Sequence, residues 1–179
     1  MEKSWTTLST EVLHENPFWM YKVDQFQTLN GSQGSYFYHE NRDSVNIFAQ
    51  GEDGRFVFVN EYRYLFDTES IAPAMGGIEE GETPDVAAAR ELREELGYEA
   101  DEWILLGVTA TAPAFSREKA YIFLARNLTL RGVELEGFED IEPVFLDPLE
   151  VEEAIANGTI WDAHTVAGWH FVERYLRMH

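Results

Sequence analysis

The stretch from Thr83 to Gly97 constrains the chain more than any other, because both ends and both faces of a helix are written into it. Thr83 is placed to cap the N-terminus, Pro84 suits the first helical position, and Asp85 complements the positive end of the helix dipole. Sequence rich in Ala, Leu, Glu and Arg runs on to Leu96, and Gly97 stands where the chain leaves the helix in a left-handed conformation. With Glu91 at zero and about 100° per residue, Glu95 falls at about 40° and Glu94 at about −60°, whereas Val86, Ala89, Leu92 and Leu96 lie between about 100° and 220°. One face is expected to be apolar and the opposite face to carry three carboxylates, flanked by Ala87 and Ala88. Taken alone, the pattern fits a solvated surface helix better than a cation site. Three like charges within one turn repel, and Arg90 and Arg93 offset part of that. A Mg²⁺ ion, which takes oxygen ligands at roughly 2.0–2.1 Å, would offset more.

Around this helix the chain reads as strands. Ser4 to His14 and Phe18 to Leu29 are rich in β-branched and aromatic residues, and a turn at Asn30–Gly34 leads to Ser35–His39. Ser44–Gln50 follows, then a tight turn at Glu52-Asp53-Gly54 and the apolar run Phe56–Val59. Phe66 to Gly81, with three glycines and one proline, reads as a loop. Beyond the helix, Trp103–Thr111, Ala120–Leu128 and Ile141–Leu146 are expected strands, Pro148–Asn157 a short helix, and Asp162 the cap of a final helix through Met178. The predicted class is α+β, an α/β/α sandwich with a mixed sheet flanked by helices plus N-terminal antiparallel strands. Residues 1–179 are read as one domain, a length that suffices for a proper core.

Charge narrows the function classes. Thirty-three acidic against thirteen basic residues give a formal net charge of −20, which repels phosphate backbones and anionic lipid. Nucleic-acid and membrane partners are therefore not expected. There is no cysteine, so disulfides, thiolate metal sites and cysteine nucleophiles are excluded together. Met1–Asn16 holds no apolar stretch of signal-peptide length, and no run approaches a membrane span, so a cytoplasmic protein is expected.

The surroundings of the helix separate its two meanings. Gly76 is followed after five residues by Glu82, and seven residues later come Arg90-Glu91-Leu92-Arg93-Glu94-Glu95-Leu96-Gly97-Tyr98. This resembles the Nudix box at every fixed polar and glycine position, with Tyr98 where an aliphatic residue is usual. The similarity extends from about Leu13 to about Gly168. Glu15-Asn16-Pro17-Phe18-Trp19, Asn60-Glu61-Tyr62-Arg63-Tyr64, Phe123-Leu124-Ala125-Arg126 and Asp162-Ala163-His164-Thr165 resemble the ADP-ribose pyrophosphatase branch, as does Pro113, sixteen residues after Gly97.

The resemblance implies a Mg²⁺-dependent enzyme, with Mn²⁺ as a possible substitute, that cuts the pyrophosphate bond of a nucleoside diphosphate sugar such as ADP-ribose. Glu91 and Glu95 are the implied principal metal ligands, with Glu94 sharing one ion and the Met75 carbonyl completing a site. Glu82 is implied as a further ligand or as the group that orients Arg90. Arg63 is implied to contact a substrate phosphate, alongside Gly76, Gly77 and Pro113. The base is implied on a late acidic loop, Glu134–Glu142, with Glu139 first and Glu136 second. The branch also implies a homodimer whose N-terminal strands, about residues 1–42, reach the partner's site, where Trp19 or Phe18 stacks on the nucleotide base. One departure stands out: Ala72 occupies a position, four before Gly76, where the branch commonly has Glu, leaving room for other nucleoside diphosphate sugars. The rival readings are hydrolysis of an RNA 5′ end or a dinucleotide, and a silent nucleotide-sugar sensor. The first calls for a basic groove and the last for loss of the Glu pair, and the sequence shows neither.

Overall fold

A computed structural model of the chain describes residues 4–132 and 141–179. In chain order the elements are β1 (Trp5–Glu15), β2 (Trp19–Thr28), β3 (Gln33–Asn41), β4 (Ser44–Gln50), β5 (Phe56–Arg63), β6 (Thr68–Ala72), β7 (Ala74–Gly77), α1 (Pro84–Leu96), β8 (Tyr98–Ala110), β9 (Ser116–Arg117), β10 (Lys119–Leu130), β11 (Ile141–Leu146), α2 (Pro148–Ala156) and α3 (Ala163–Met178). Contacts divide the chain into two compact units, one running up to Arg42 with Ala110–Lys119 added, the other comprising Asp43–Thr109 and Ala120–His179.

The first unit is a four-stranded sheet in the order β1-β2-β3-β9. β1, β2 and β3 form an antiparallel meander, and β9 joins β3 in parallel. Among its described residues the only buried apolar side chain is Val23, at 5% exposure. Trp5 stacks on Phe26 with ring centroids 4.2 Å apart, while Trp5, Leu8, Val12, Phe18 and Phe37 remain exposed.

The second unit holds the core. Its mixed sheet runs β11-β5-β4-β10-β8, with β4 and β10 parallel and β5 antiparallel to both β4 and β11. Alternation along the strands sorts side chains to two faces. Val45, Ile47 and Ala49 pack with Ala87, Ala88, Leu92 and Leu96 of α1. Phe48, Phe56 and Phe58 pack with Val151 of α2 and with Trp169 and Val172 of α3 on the other face. Each fully buried phenylalanine contributes about 1.5–3 kcal/mol of transfer free energy. The packing of α3 depends on Gly168, where an added Cβ would lie 2.5 Å from the Phe48 ring. That ring is enclosed and has nowhere to go. Gly168→Ala is expected to destabilise the protein by about 1–3 kcal/mol, read as a lower denaturant midpoint with an unchanged slope; an unaltered midpoint would mean that α3 is not packed this closely.

The structure corrects the sequence reading in three places that bear on the site. Phe66–Gly81 is not a loop throughout, since it contains β6, paired with β5, and β7, paired with β4. Both are short and rich in Ala and Gly, with Pro73 between them, and their partners supply the order that their composition does not. Thr83 stands at the N-cap with extended backbone but makes no side-chain cap bond. Its hydroxyl is turned to Asp85, whose carboxyl it holds below the ordinary value. Finally, α1 is rolled about its axis: Val86 is 52% exposed and Ala89 is exposed, while Ala87, Ala88 and Glu91 are buried. The carboxylate face is thus turned toward the strands rather than away from them.

Candidate functional site

Two elements build the site. β7 is held edgewise by β4, with Val45 opposite Gly76 and Asn46 opposite Met75. α1 crosses β7 closely because Ala87 and Ala88 keep the contact thin and Gly76 has no side chain. A Cβ on Gly76 would lie 2.0 Å from Glu91 Oε1 and 2.2 Å from Cδ, so the carboxylate occupies the space that any other residue would fill. Glu91 is only 9% exposed there. One turn on, Glu95 Oε2 accepts a hydrogen bond from the Met75 N–H at 3.1 Å. N–H and C=O of one strand residue project to the same side, so the Met75 carbonyl also faces the helix.

Arg90 binds the carboxylates together. Its Nε and Nη2 donate to the two oxygens of Glu82, each at 3.0 Å, and Nη2 also donates to the Gly77 carbonyl at 2.9 Å. Nη1 donates to Glu91 Oε1 at 2.7 Å and to Glu94 Oε2 at 3.0 Å. Glu82 also accepts the Glu79 N–H at 2.9 Å. The Arg90 guanidinium, and then the Glu79 N–H, hold the Glu82 carboxyl below its ordinary value. In return Glu82 foremost, with Glu91 and Glu94, raises the Arg90 pKa against the effect of burial. The Gly77 carbonyl and the Glu79 N–H are partners that no side-chain pattern announces, because both are backbone groups placed by the turn at 78–83.

Met75, Gly76, Gly77, Glu82, Arg90, Glu91, Glu94 and Glu95 are therefore neighbours. Among the described residues no group of three acidic or histidine side chains is already arranged to hold a metal ion, and Arg90 is paired with Glu91 and Glu94. The donor set itself suits a hard divalent cation: it is all oxygen, includes a buried carboxylate over a glycine cradle, and has a backbone carbonyl beside it.

The other expected residues lie elsewhere. Arg63, at the end of β5, pairs with Glu61 at 3.0 Å. Ala72 is fully buried opposite Val59 and contributes to the core on the α1 side. Trp19, Phe18 and Pro113 belong to the first unit. Trp19 lies against His14 and His39, at ring distances of 5.4 and 4.9 Å, and Phe18 is exposed. Pro113 lines a cavity of about 390 Å³ together with Asp24, Tyr36, Tyr38, Phe115 and Arg117. Glu136 and Glu139 lie outside the described residues. No helix among the described residues is long and apolar enough to cross a membrane.

Comparison with known proteins bears on this geometry. A family model for the NUDIX domain matches residues 40–168. The chain is 33% identical over 170 residues to the ADP-ribose pyrophosphatase of Mycobacterium tuberculosis, covering 93% of this chain and 82% of that protein. It is 28% identical over 171 residues to the methanol dehydrogenase activator of Bacillus methanolicus, covering 93% and 91%. A crystal structure of an ADP compounds hydrolase superposes with a TM-score of 0.88 at 22% identity, covering 98% of this chain and 95% of the other, a likeness of fold.

Proposed function

The chain belongs to the NUDIX domain family, and from that premise we propose that this Nudix hydrolase acts on nucleoside diphosphate sugars, converting ADP-ribose and water into AMP and ribose 5-phosphate with Mg²⁺ or Mn²⁺. The observation that carries the reading is the convergence of Glu82, Glu91, Glu94 and Glu95 on β7 and Arg90, in a chain 33% identical to an ADP-ribose pyrophosphatase. Glu91, Glu95, Glu94 and the Met75 carbonyl would hold the cation. When bound there, it supplies positive charge that neutralises the diphosphate oxygens and favours attack by water.

The chain's own residues do the rest. Gly76 leaves room for the Glu91 carboxylate beside the backbone. Glu82 fixes Arg90, which in turn positions Glu91 and Glu94. Arg63, once turned from Glu61, meets a substrate phosphate with a bidentate fork. A carboxylate, Glu139 or else Glu136, takes the proton of the attacking water, and the leaving phosphate ester departs with its bonding electron pair.

The rest of the proposal concerns assembly. The whole chain works as one functional unit, as a cytoplasmic homodimer joined through the N-terminal strands. What supports the dimer is the first unit's sheet, which encloses a single apolar side chain among its described residues and needs an apolar surface over it to be stable. Trp19 or Phe18 would then stack on the nucleotide base in the partner's site.

A second reading follows from the methanol dehydrogenase activator, whose name places it beside another enzyme. The same assay addresses both. Phosphate release after phosphatase treatment is measured with Mg²⁺ for ADP-ribose, ADP-glucose, GDP-mannose, UDP-glucose, NADH, diadenosine polyphosphates and triphosphorylated RNA. Preferred cleavage of ADP-ribose, abolished by chelator, is expected. Cleavage confined to dinucleotides or RNA would replace the substrate class. Binding of a sugar nucleotide without cleavage would favour a sensor or activator.

A further inference from the structure

The Arg90 guanidinium has five N–H donors, and all five are used. They fall into two sets. Three, on Nε and Nη2, go to Glu82 and the Gly77 carbonyl, which belong to β7 and the turn that follows it. Two, on Nη1, go to Glu91 and Glu94, on the helix. The Glu94 bond is an ordinary i,i+4 pair, but the Glu91 bond is unusual, since side chains one residue apart on a helix do not normally face each other. Here the arginine curls back, tethered by Glu82, and reaches the carboxylate of its own neighbour.

We propose that Arg90 is a built-in competitor of the divalent cation: the Nη1 arm counter-charges Glu91 and Glu94, and a cation binds by taking those carboxylates from it while the Glu82 and Gly77 anchor keeps the guanidinium in place. This rests on the metal-dependent reading above. Two physical facts carry it. An oxygen in a 2.7 Å charge-assisted bond has a lone pair committed to that donor. A guanidinium touching two ligands also repels a dication aimed at the same oxygens. The device has two consequences. The carboxylates over Gly76 are never left to repel one another, so the helix and β7 stay joined at any cation concentration. The affinity for the cation is also set lower than the carboxylates alone would give, so binding responds to concentration rather than saturating.

A role in positioning alone predicts the opposite sign, and that separates the two. Arg90→Gln and Arg90→Lys are compared with the unaltered full-length protein by thermal unfolding in chelator and in Mg²⁺, and by calorimetric Mn²⁺ titration. The glutamine variant is expected to unfold several degrees lower in chelator, to gain a larger Mg²⁺-induced rise in Tm than the unaltered protein, and to bind Mn²⁺ several-fold more tightly. The lysine variant, which keeps the charge and loses the fork, is expected to fall between, and it decides the matter if the glutamine variant does not fold. Equal or weaker Mn²⁺ binding by a folded variant overturns the proposal and leaves the hydrolase reading intact. An unaltered protein that binds neither Mg²⁺ nor Mn²⁺ overturns both.

Discussion

Glu95→Gln is expected to leave the protein folded and to lower kcat by about 10²–10³-fold, the factor that follows from losing several kcal/mol of charge stabilisation. The fold is expected to survive because glutamine can keep the bond that Glu95 makes to β7. Its Oε2 accepts the Met75 N–H at 3.1 Å, and a glutamine amide oxygen can accept the same bond. What glutamine cannot supply is the negative charge and the second anionic oxygen that a cation requires. The effect should therefore divide cleanly, with Tm in chelator within a few degrees of the unaltered protein, a weakened response to Mg²⁺, and turnover nearly gone. The measurement is kcat on the preferred substrate across a Mg²⁺ series, with circular dichroism as the control for folding. Near-normal turnover would remove Glu95 from the metal assignment and shift the weight to Glu91 and Glu94.

The site was legible in the sequence where its determinants are local. Pro84, Leu96 and Gly97 set the limits of α1, and the structure places the helix at Pro84–Leu96 with Gly97 at a φ of 70°. Ser44–Gln50 and Ile141–Leu146 likewise appear with the limits that their patterns suggest. Legibility ends where a residue's setting is decided by distant parts of the chain. β6 and β7 carry Ala, Gly and Pro rather than strand formers, and only pairing with β5 and β4 makes them strands. Helical periodicity sets the three carboxylates opposite the apolar face. It could not weigh Gly76, whose missing side chain makes room for Glu91, or Arg90, whose charge makes that burial tolerable. Periodicity also puts Val86 and Ala89 on the apolar face, whereas close packing on β7 selects the small Ala87 and Ala88. The roles proposed for Arg63 and Trp19 would depend on a bound substrate and a second copy of the chain, neither of which a pattern in one chain specifies.

Gly76→Ala is expected to be the most damaging single-methyl change among the described glycines, lowering both stability and turnover. A Cβ there would lie 2.0 Å from Glu91 Oε1 and 2.5 Å from Oε2. A carboxylate at the end of an unrestrained glutamate would swing aside at little cost, but Glu91 is restrained. It is buried and bonded to Arg90 Nη1 at 2.7 Å, and Arg90 is itself anchored on Glu82 and the Gly77 carbonyl. The strand cannot retreat either, because Gly76 is opposite Val45 in the β4–β7 pair. Relief must come from driving Glu91 out of its cradle, which breaks its bond to Arg90, or from bending β7 away from β4. Either costs about 1–3 kcal/mol, the usual range for overpacking a well-filled site. Turnover should fall by about 10²-fold or more, because the displaced group is a proposed cation ligand. A double-mutant cycle isolates the cause. In a Glu91→Ala background the carboxylate is absent, so Gly76→Ala should cost little further stability. If it destabilises that background as much as the unaltered protein, the strain lies in the β7 backbone and not in the glycine cradle, and the cradle loses its place in the cation site.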